Sequence, residues 1–335
     1  MSIEQLEETA QAMVAPGKGI IAVDESNATI GKRFAAVGVE NTEEHRRAYR
    51  EMLLTTPRLG EHISGAILYE ETLRQSTRAG VPFARILTDA GILPGIKVDK
   101  GPVPLAGFPG DVVTEGLDGL RPRLKEYAAL GAKFAKWRAV IAITEDTPSG
   151  TCIESNCHAL ARYAALCQEA GLVPMVEPEV LMDGSHDIDV CYEVTEATLR
   201  SLFSALYEHG VMLEGTILKA SMVIAGKDCR EQMDVEDVAE ATLRCLKSTV
   251  PALLPGIVFL SGGQSDEKAT AHLDAMNRMG SKPWPLSFSY GRAMQQAALK
   301  LWAADMTGNF AKAQQTVFQR ARDNGLAAMG RWQQG

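Results

Sequence analysis

No apolar run in this chain approaches the ~20 residues of a membrane-spanning helix, and no charged leader followed by an apolar block opens it. Secretion and membrane insertion are therefore not expected, and the chain reads as cytoplasmic. Positive charge is in deficit: 34 Lys and Arg stand against 42 Asp and Glu, for a net charge of -8. That balance argues against a nucleic-acid or anionic-membrane partner, so any strongly basic spot must be local. There is no C-x-x-C pair; six cysteines are scattered, the closest being Cys152 and Cys157. A chain this long needs no disulfide staples, so reduced, packed thiols are expected. The histidines (45, 62, 158, 186, 209 and 272) form no strand-end cluster, and neither a metal nor another cofactor is expected. Low-complexity tracts are also missing. With 335 residues and 46% apolar content, one domain spanning 1–335 is the first expectation.

What is present is a run of eight short apolar segments of strand type: 19–24, 65–69, 95–99, 134–141, 173–179, 215–222, 256–263 and 286–291. Helical patterns or long loops separate them. Thr42 opens one helix, 156–170 carries an apolar face, and 234–246 follows an acidic first turn. Residues 3–14 predict a helix ahead of the first strand, and 291–304 and 309–324 predict closing helices. Eight strands close a parallel barrel, so the expected fold is an α/β (β/α)8 TIM barrel with extra terminal helices. A doubly wound open sheet is the alternative. It calls for G-x-G-x-x-G after the first strand, where Asp24-Glu25-Ser26-Asn27 stands instead.

The strand ends carry charge: Asp24, Lys97, Lys136 with Arg138, Glu177 with Glu179, and Lys219. A parallel barrel keeps its active site at that rim, and alternation puts Lys136 and Arg138 on one face of their strand and Glu177 and Glu179 on one face of theirs, so that both pairs point to the same place. Adjacent strands would bring Lys136, Glu177 and Lys219 side by side at about 4.8 Å per step. A nucleophilic amine must be unprotonated, whereas free lysine titrates near 10.4. A second ammonium about 5 Å away, at an effective dielectric of 20, repels the first by roughly 3 kcal/mol, or about two pKa units. Glu177, wedged among these neighbours, would suit proton passing. A structural ion pair is the competing reading, as is the plain tendency of charged residues to end strands in wet loops.

Two features suit phosphate. Ser261-Gly262-Gly263 after the seventh run and Ser289-Tyr290-Gly291-Arg292 after the eighth supply amides, hydroxyls and a guanidinium near helix starts. Across the mouth, Ser26, Thr29, Arg33, Lys97 and Arg138 could hold a second anion, or be a solvated charged face.

From about Gly17 to Ala327 the chain resembles class I fructose-bisphosphate aldolase. The motifs are Asp-Glu-Ser (24–26), Asn-Thr-Glu-Glu (41–44), Gly-Ile-Lys-Val-Asp-Lys-Gly (95–101), Phe-Ala-Lys-Trp-Arg (134–138), Val-Glu-Pro-Glu (176–179), Leu-Ser-Gly-Gly-Gln-Ser (260–265) and Phe-Ser-Tyr-Gly-Arg (288–292). The resemblance implies a barrel, usually a homotetramer, that reversibly cleaves fructose 1,6-bisphosphate to dihydroxyacetone phosphate and glyceraldehyde 3-phosphate without metal. It makes Lys219 the Schiff-base nucleophile and Glu177 the acid/base. Lys136 would assist the carbinolamine steps, Asp24 would orient the lysine and the C4 hydroxyl, and Glu179 would support the cluster. Ser261, Gly262, Gly263, Ser289 and Arg292, with Arg33 nearby, would hold the C1 phosphate; Ser26, Thr29, Lys97 and Arg138 would lie at the C6 phosphate.

Three departures stand out. Ala220-Ser221 follows the nucleophile where the family commonly has Pro-Asn, Thr29 replaces a frequent serine, and Trp332-Gln333-Gln334-Gly335 ends the chain with no tyrosine beyond Tyr290. Animal and plant members end in a mobile tail whose tyrosine assists enamine proton exchange, so that step is expected to be slow or served otherwise. Related substrates, sedoheptulose 1,7-bisphosphate or fructose 1-phosphate, remain open, as does a phosphosugar-binding or scaffold role.

Overall fold

Short strands that are largely apolar and buried suit a sheet covered on both faces, and the parallel strands here are of that kind, their charged residues being Lys97, Lys136, Arg138, Glu177, Glu179 and Lys219. The computed structural model describes residues 3–333; Gln334 and Gly335, where the expected chain end falls, lie outside the described residues. The barrel strands are β1 (Gly19–Val23), β2 (Ile63–Leu68), β3 (Leu93–Lys97), β6 (Phe134–Ile141), β7 (Val173–Val180), β8 (Ile217–Ala220), β9 (Ile257–Phe259) and β10 (Leu286–Tyr290). They close in the order β1-β2-β3-β6-β7-β8-β9-β10, all parallel, with Ile20 opposite Ser289 where first meets last. β4 (Gly101–Pro104) and β5 (Val112–Glu115) form a separate antiparallel hairpin that the sequence reading missed.

The helices are α1 (Ile3–Met13), α2 (Asn27–Ala35), α3 (Glu43–Leu54), α4 (Glu70–Arg74), α5 (Phe83–Asp89) and α6 (Leu120–Ala129). They continue with α7 (Gly150–Glu169), α8 (Ile188–Glu208), α9 (Val235–Thr249), α10 (Asp266–Arg278), α11 (Arg292–Ala304) and α12 (Phe310–Ala327). Their starts have a common cause: Ser26, Thr42, Ser149, Asp187, Asp234 and Ser265 each accept a backbone N–H of the first turn. None of the helices in the described residues is long and apolar enough to cross a membrane.

Two cores result. Inside the barrel, Ile20, Ile67, Phe134, Met175, Ile217 and Val258 pack together, and Leu6, Ala10 and Met13 of α1 close its N-terminal end. The larger core lies between strands and helices and includes Phe34, Tyr49 and Trp302, packed edge-on and tilted with ring centroids 5.3–6.0 Å apart. Gly95 is dictated by the inner core: a Cβ there would meet the Phe134 ring at 2.2 Å. With the interior filled, polar groups are left to the C-terminal mouth.

Candidate active site

Three strands deliver the central cluster. β6 carries Lys136, β7 carries Glu177 and β8 carries Lys219, while Asp24 immediately follows β1. Glu177 is shared: Oε1 lies 3.0 Å from Lys219 Nζ and Oε2 lies 3.2 Å from Lys136 Nζ. Asp24 Oδ2 stands 2.7 Å from Lys136. The charges therefore alternate as Asp24, Lys136, Glu177, Lys219. The lysines and Glu177 are almost without solvent contact, at 3–5% of side-chain exposure, so their attraction is little screened.

Burial alone would raise the Asp24 pKa, but the charges of Lys136 and Lys219 outweigh it and hold the carboxyl well below its ordinary value. Burial likewise opposes the charge on Lys136, yet Asp24 and Glu177 raise its pKa well above the ordinary value. Glu177 follows the Asp24 pattern, with burial overcome by Lys136, Lys219 and Arg138, so its pKa is lowered. This refines the sequence expectation. Lys136 is not a bare repulsive neighbour of Lys219, because two carboxylates compensate it, and Glu177 rests ionised. Its Oε2 accepts no hydrogen bond from any described residue, despite the ion-pair contact.

Around this cluster opens a cleft of about 550 Å³. Fifteen of the sixteen site residues singled out in the sequence line it; the exception, Gly263, abuts Arg292, whose Nη2 would lie 3.2 Å from a Cβ at that glycine. Gly262 and Gly263 take left-handed φ values of +59° and +100°, which explains the paired glycines. Ser289 Oγ is buried with no partner among the described residues. Gly291 precedes α11 with no side-chain cap, leaving first-turn amides available beside Arg292. The Tyr290 hydroxyl, between Ser289 and Gly291 in the chain, donates to Ala269 O at 2.8 Å. That contact faces the helix layer.

On the opposite side Ser26 caps α2, its Oγ 3.1 Å from the Thr29 hydroxyl. Lys97 pairs with Asp99 and Arg138 with Glu179, whereas Arg33, paired with Glu25, reaches the other wall, its Nη2 4.0 Å from where a Cβ at Gly291 would lie. Asp99 also accepts the Arg138 amide at 3.2 Å. Glu25 is fixed by buried Arg50 at 2.7 Å and by Gln295 at 3.1 Å. Sequence reasoning missed Glu25 and Asp99 as cleft residues. The signal was adjacency, since each sits within two positions of a residue already singled out. Among the described residues no group of three or more His, Cys, Asp or Glu is arranged to hold a metal ion.

A closed parallel barrel whose mouth concentrates buried lysine–carboxylate pairs between two cation-rich walls defines a barrel enzyme with a lysine-centred site. The chain belongs to the class-I fructose-bisphosphate aldolase family, whose family model matches residues 5–335. It is 76% identical over 332 residues to a probable fructose-bisphosphate aldolase class 1 of Xanthomonas axonopodis, covering 99% of each chain. It is 54% identical over 316 residues to Arabidopsis thaliana fructose-bisphosphate aldolase 4, cytosolic, covering 94% of this chain and 80% of that one. A solved fructose-bisphosphate aldolase from Plasmodium falciparum, in complex with TRAP and a small-molecule inhibitor, superposes with a TM-score of 0.97 at 49% identity, covering 99% of this chain and 96% of that one.

Proposed function

We propose that this enzyme reversibly cleaves fructose 1,6-bisphosphate to dihydroxyacetone phosphate and glyceraldehyde 3-phosphate through a Schiff base on Lys219, without a metal ion. The observation that carries the reading is the sharing of Glu177 between the two buried ammonium groups, at 3.0 and 3.2 Å. A proton leaving Lys219 has an acceptor within hydrogen-bond reach, and the resulting amine attacks the C2 carbonyl to give a carbinolamine. Loss of water, with protonation of the departing hydroxyl by Glu177 or Lys136, leaves a protonated imine. Asp24 takes the C4 hydroxyl proton, the C3–C4 bond breaks, and its electron pair flows into the imine to form a neutral enamine. Glyceraldehyde 3-phosphate departs. A proton added at C3 and hydrolysis of the imine then release dihydroxyacetone phosphate and restore the lysine.

The two walls have separate duties. Ser261, Gly262, Gly263, Ser289, Gly291 and Arg292, with Arg33, hold the C1 phosphate; Ser26, Thr29, Lys97 and Arg138 hold the C6 phosphate, with Glu179 orienting Arg138. Anchoring both ends limits misalignment of the reacting carbons. The proposal extends to one barrel domain over residues 1–335, working in the cytoplasm as a homotetramer.

Borohydride reduction in the presence of fructose 1,6-bisphosphate, read by intact mass and peptide mapping, tests the covalent step. A reduced triose-phosphate adduct on Lys219 is expected. Turnover of wild-type protein with no adduct at any lysine would overturn the reading.

A further inference from the structure

The loop from Leu260 to Ser265 joins β9 to α10 and holds two consecutive glycines in the left-handed region. Such a segment has many alternative conformations and needs external support to aim its amides. Gln264 provides it from three sides. Its amide donates to Ser261 O at 3.0 Å, closing the turn. Its Nε2 lies 3.5 Å from the sulfur of Met222, three residues beyond Lys219. Its Oε1 lies 2.6 Å from Nδ1 of His272, two turns into α10.

His272 is wholly buried, and its Nε2 has no partner among the described residues. Burial, together with the nearby charge of Lys268, pushes its pKa down to about 4, so the ring is neutral at physiological pH. With Gln264 Oε1 as acceptor, the single ring proton belongs on Nδ1. An unpaired buried nitrogen is a cost that leucine or methionine at this position would avoid. The return is a short hydrogen bond that pins the loop. The segment that follows the nucleophile's strand, the glycine loop and α10 meet at Gln264.

We propose that His272 is a positioning residue for phosphate, acting through Gln264 to fix the Ser261-Gly262-Gly263 loop relative to Lys219. The inference rests on the assignment of that loop as the C1-phosphate holder. Loss of the hydrogen bond loosens the loop and weakens substrate binding more than it slows bond cleavage.

The test compares H272L, Q264A, H272N and the H272L/Q264A double variant in steady-state cleavage of fructose 1,6-bisphosphate, with inorganic phosphate as competitive inhibitor. H272L and Q264A should each raise KM and the phosphate inhibition constant about fivefold, with kcat changed less than about twofold. Because both remove the His272–Gln264 contact, the double variant should be no worse than Q264A alone. H272N carries an amide nitrogen in place of Nδ1 and should return KM to within about twofold of wild type. Q264A alters only a half-buried loop side chain, so it keeps the test open if H272L folds poorly. Equal damage by H272N and H272L, additive effects, or an unchanged KM in Q264A would overturn the proposal. R292A separates the two levels. If R292A raises KM while H272L and Q264A do not, only the role of His272 fails; if R292A leaves KM and phosphate inhibition unchanged, the phosphate assignment itself fails and His272 with it.

Discussion

Asp24 and Lys136 form a 2.7 Å ion pair that is one half of an alternating chain of four charges, the other half being Glu177 with Lys219. Removal of Lys136 leaves Asp24 without its ion-pair partner and Glu177 with Lys219 alone. For Lys136→Met, the buried pair with Asp24 is broken from one side, at a cost of about 3–5 kcal/mol in stability. Turnover should fall by at least about a hundredfold, since proton traffic around Glu177 is disrupted. D24N/K136M should recover much of the stability in urea denaturation and none of the activity. Recovery of both would mean that the pair is structural.

Acid should act in two stages. His272 titrates near 4 when folded against an ordinary 6.5. A folded pKa below the unfolded one means that the unfolded chain binds more protons between these values, so stability falls as pH drops through that window. The loss reaches about 3 kcal/mol. Below it, the depressed pKa values of Asp24 and Glu177 take over: stability present above the ordinary carboxylate range is lost as pH falls towards their folded values. Urea midpoints measured from pH 7 to 4 should decline in wild type and stay flatter in H272N. Parallel curves would place the first stage elsewhere.

Substrate preference should respond to the wall that carries Lys97 and Arg138. Replacing Arg138 by leucine should raise KM for fructose 1,6-bisphosphate about tenfold and leave fructose 1-phosphate, which lacks the second phosphate, nearly unaffected. Equal losses on both substrates would move the C6 phosphate away from this residue.

Gly95→Ala tests the barrel interior. The added methyl would sit 2.2 Å from the Phe134 ring, closer than any relaxed contact. Overpacking of this kind costs about 1–3 kcal/mol, and F134L in the same chain should relieve part of it. Chemical denaturation measures both; a neutral G95A would show that the ring moves freely.

The barrel was legible because the strands are short, mostly apolar runs and most of them end at a charge, and the same ends announced the cluster from Asp24 to Arg292. The boundaries were less so. Leu213, Glu214 and Gly215 form a 3-10 turn, so β8 begins at Ile217, and β9 stops at Phe259 before the glycines turn. The β4–β5 hairpin escaped notice because Pro102 and Pro104 interrupt the strand pattern, and an isolated two-stranded ribbon tolerates them on its open edges. Glu25 and Asp99 look like ordinary loop acids until the fold supplies Arg33 and Lys97. His272 lies on an apolar face eight residues from Gln264, where nothing in the sequence distinguishes a pinned imidazole from a packed one.

The meeting of Ile20 with Ser289 joins the first strand to the last. A ribosome must therefore release nearly the whole polypeptide before Asp24 and Arg292 can face a common ligand. Until then Lys136, Glu177 and Lys219 are held without the Ser289–Arg292 side of the cleft. The cleft is therefore complete only when the ring has closed between β1 and β10.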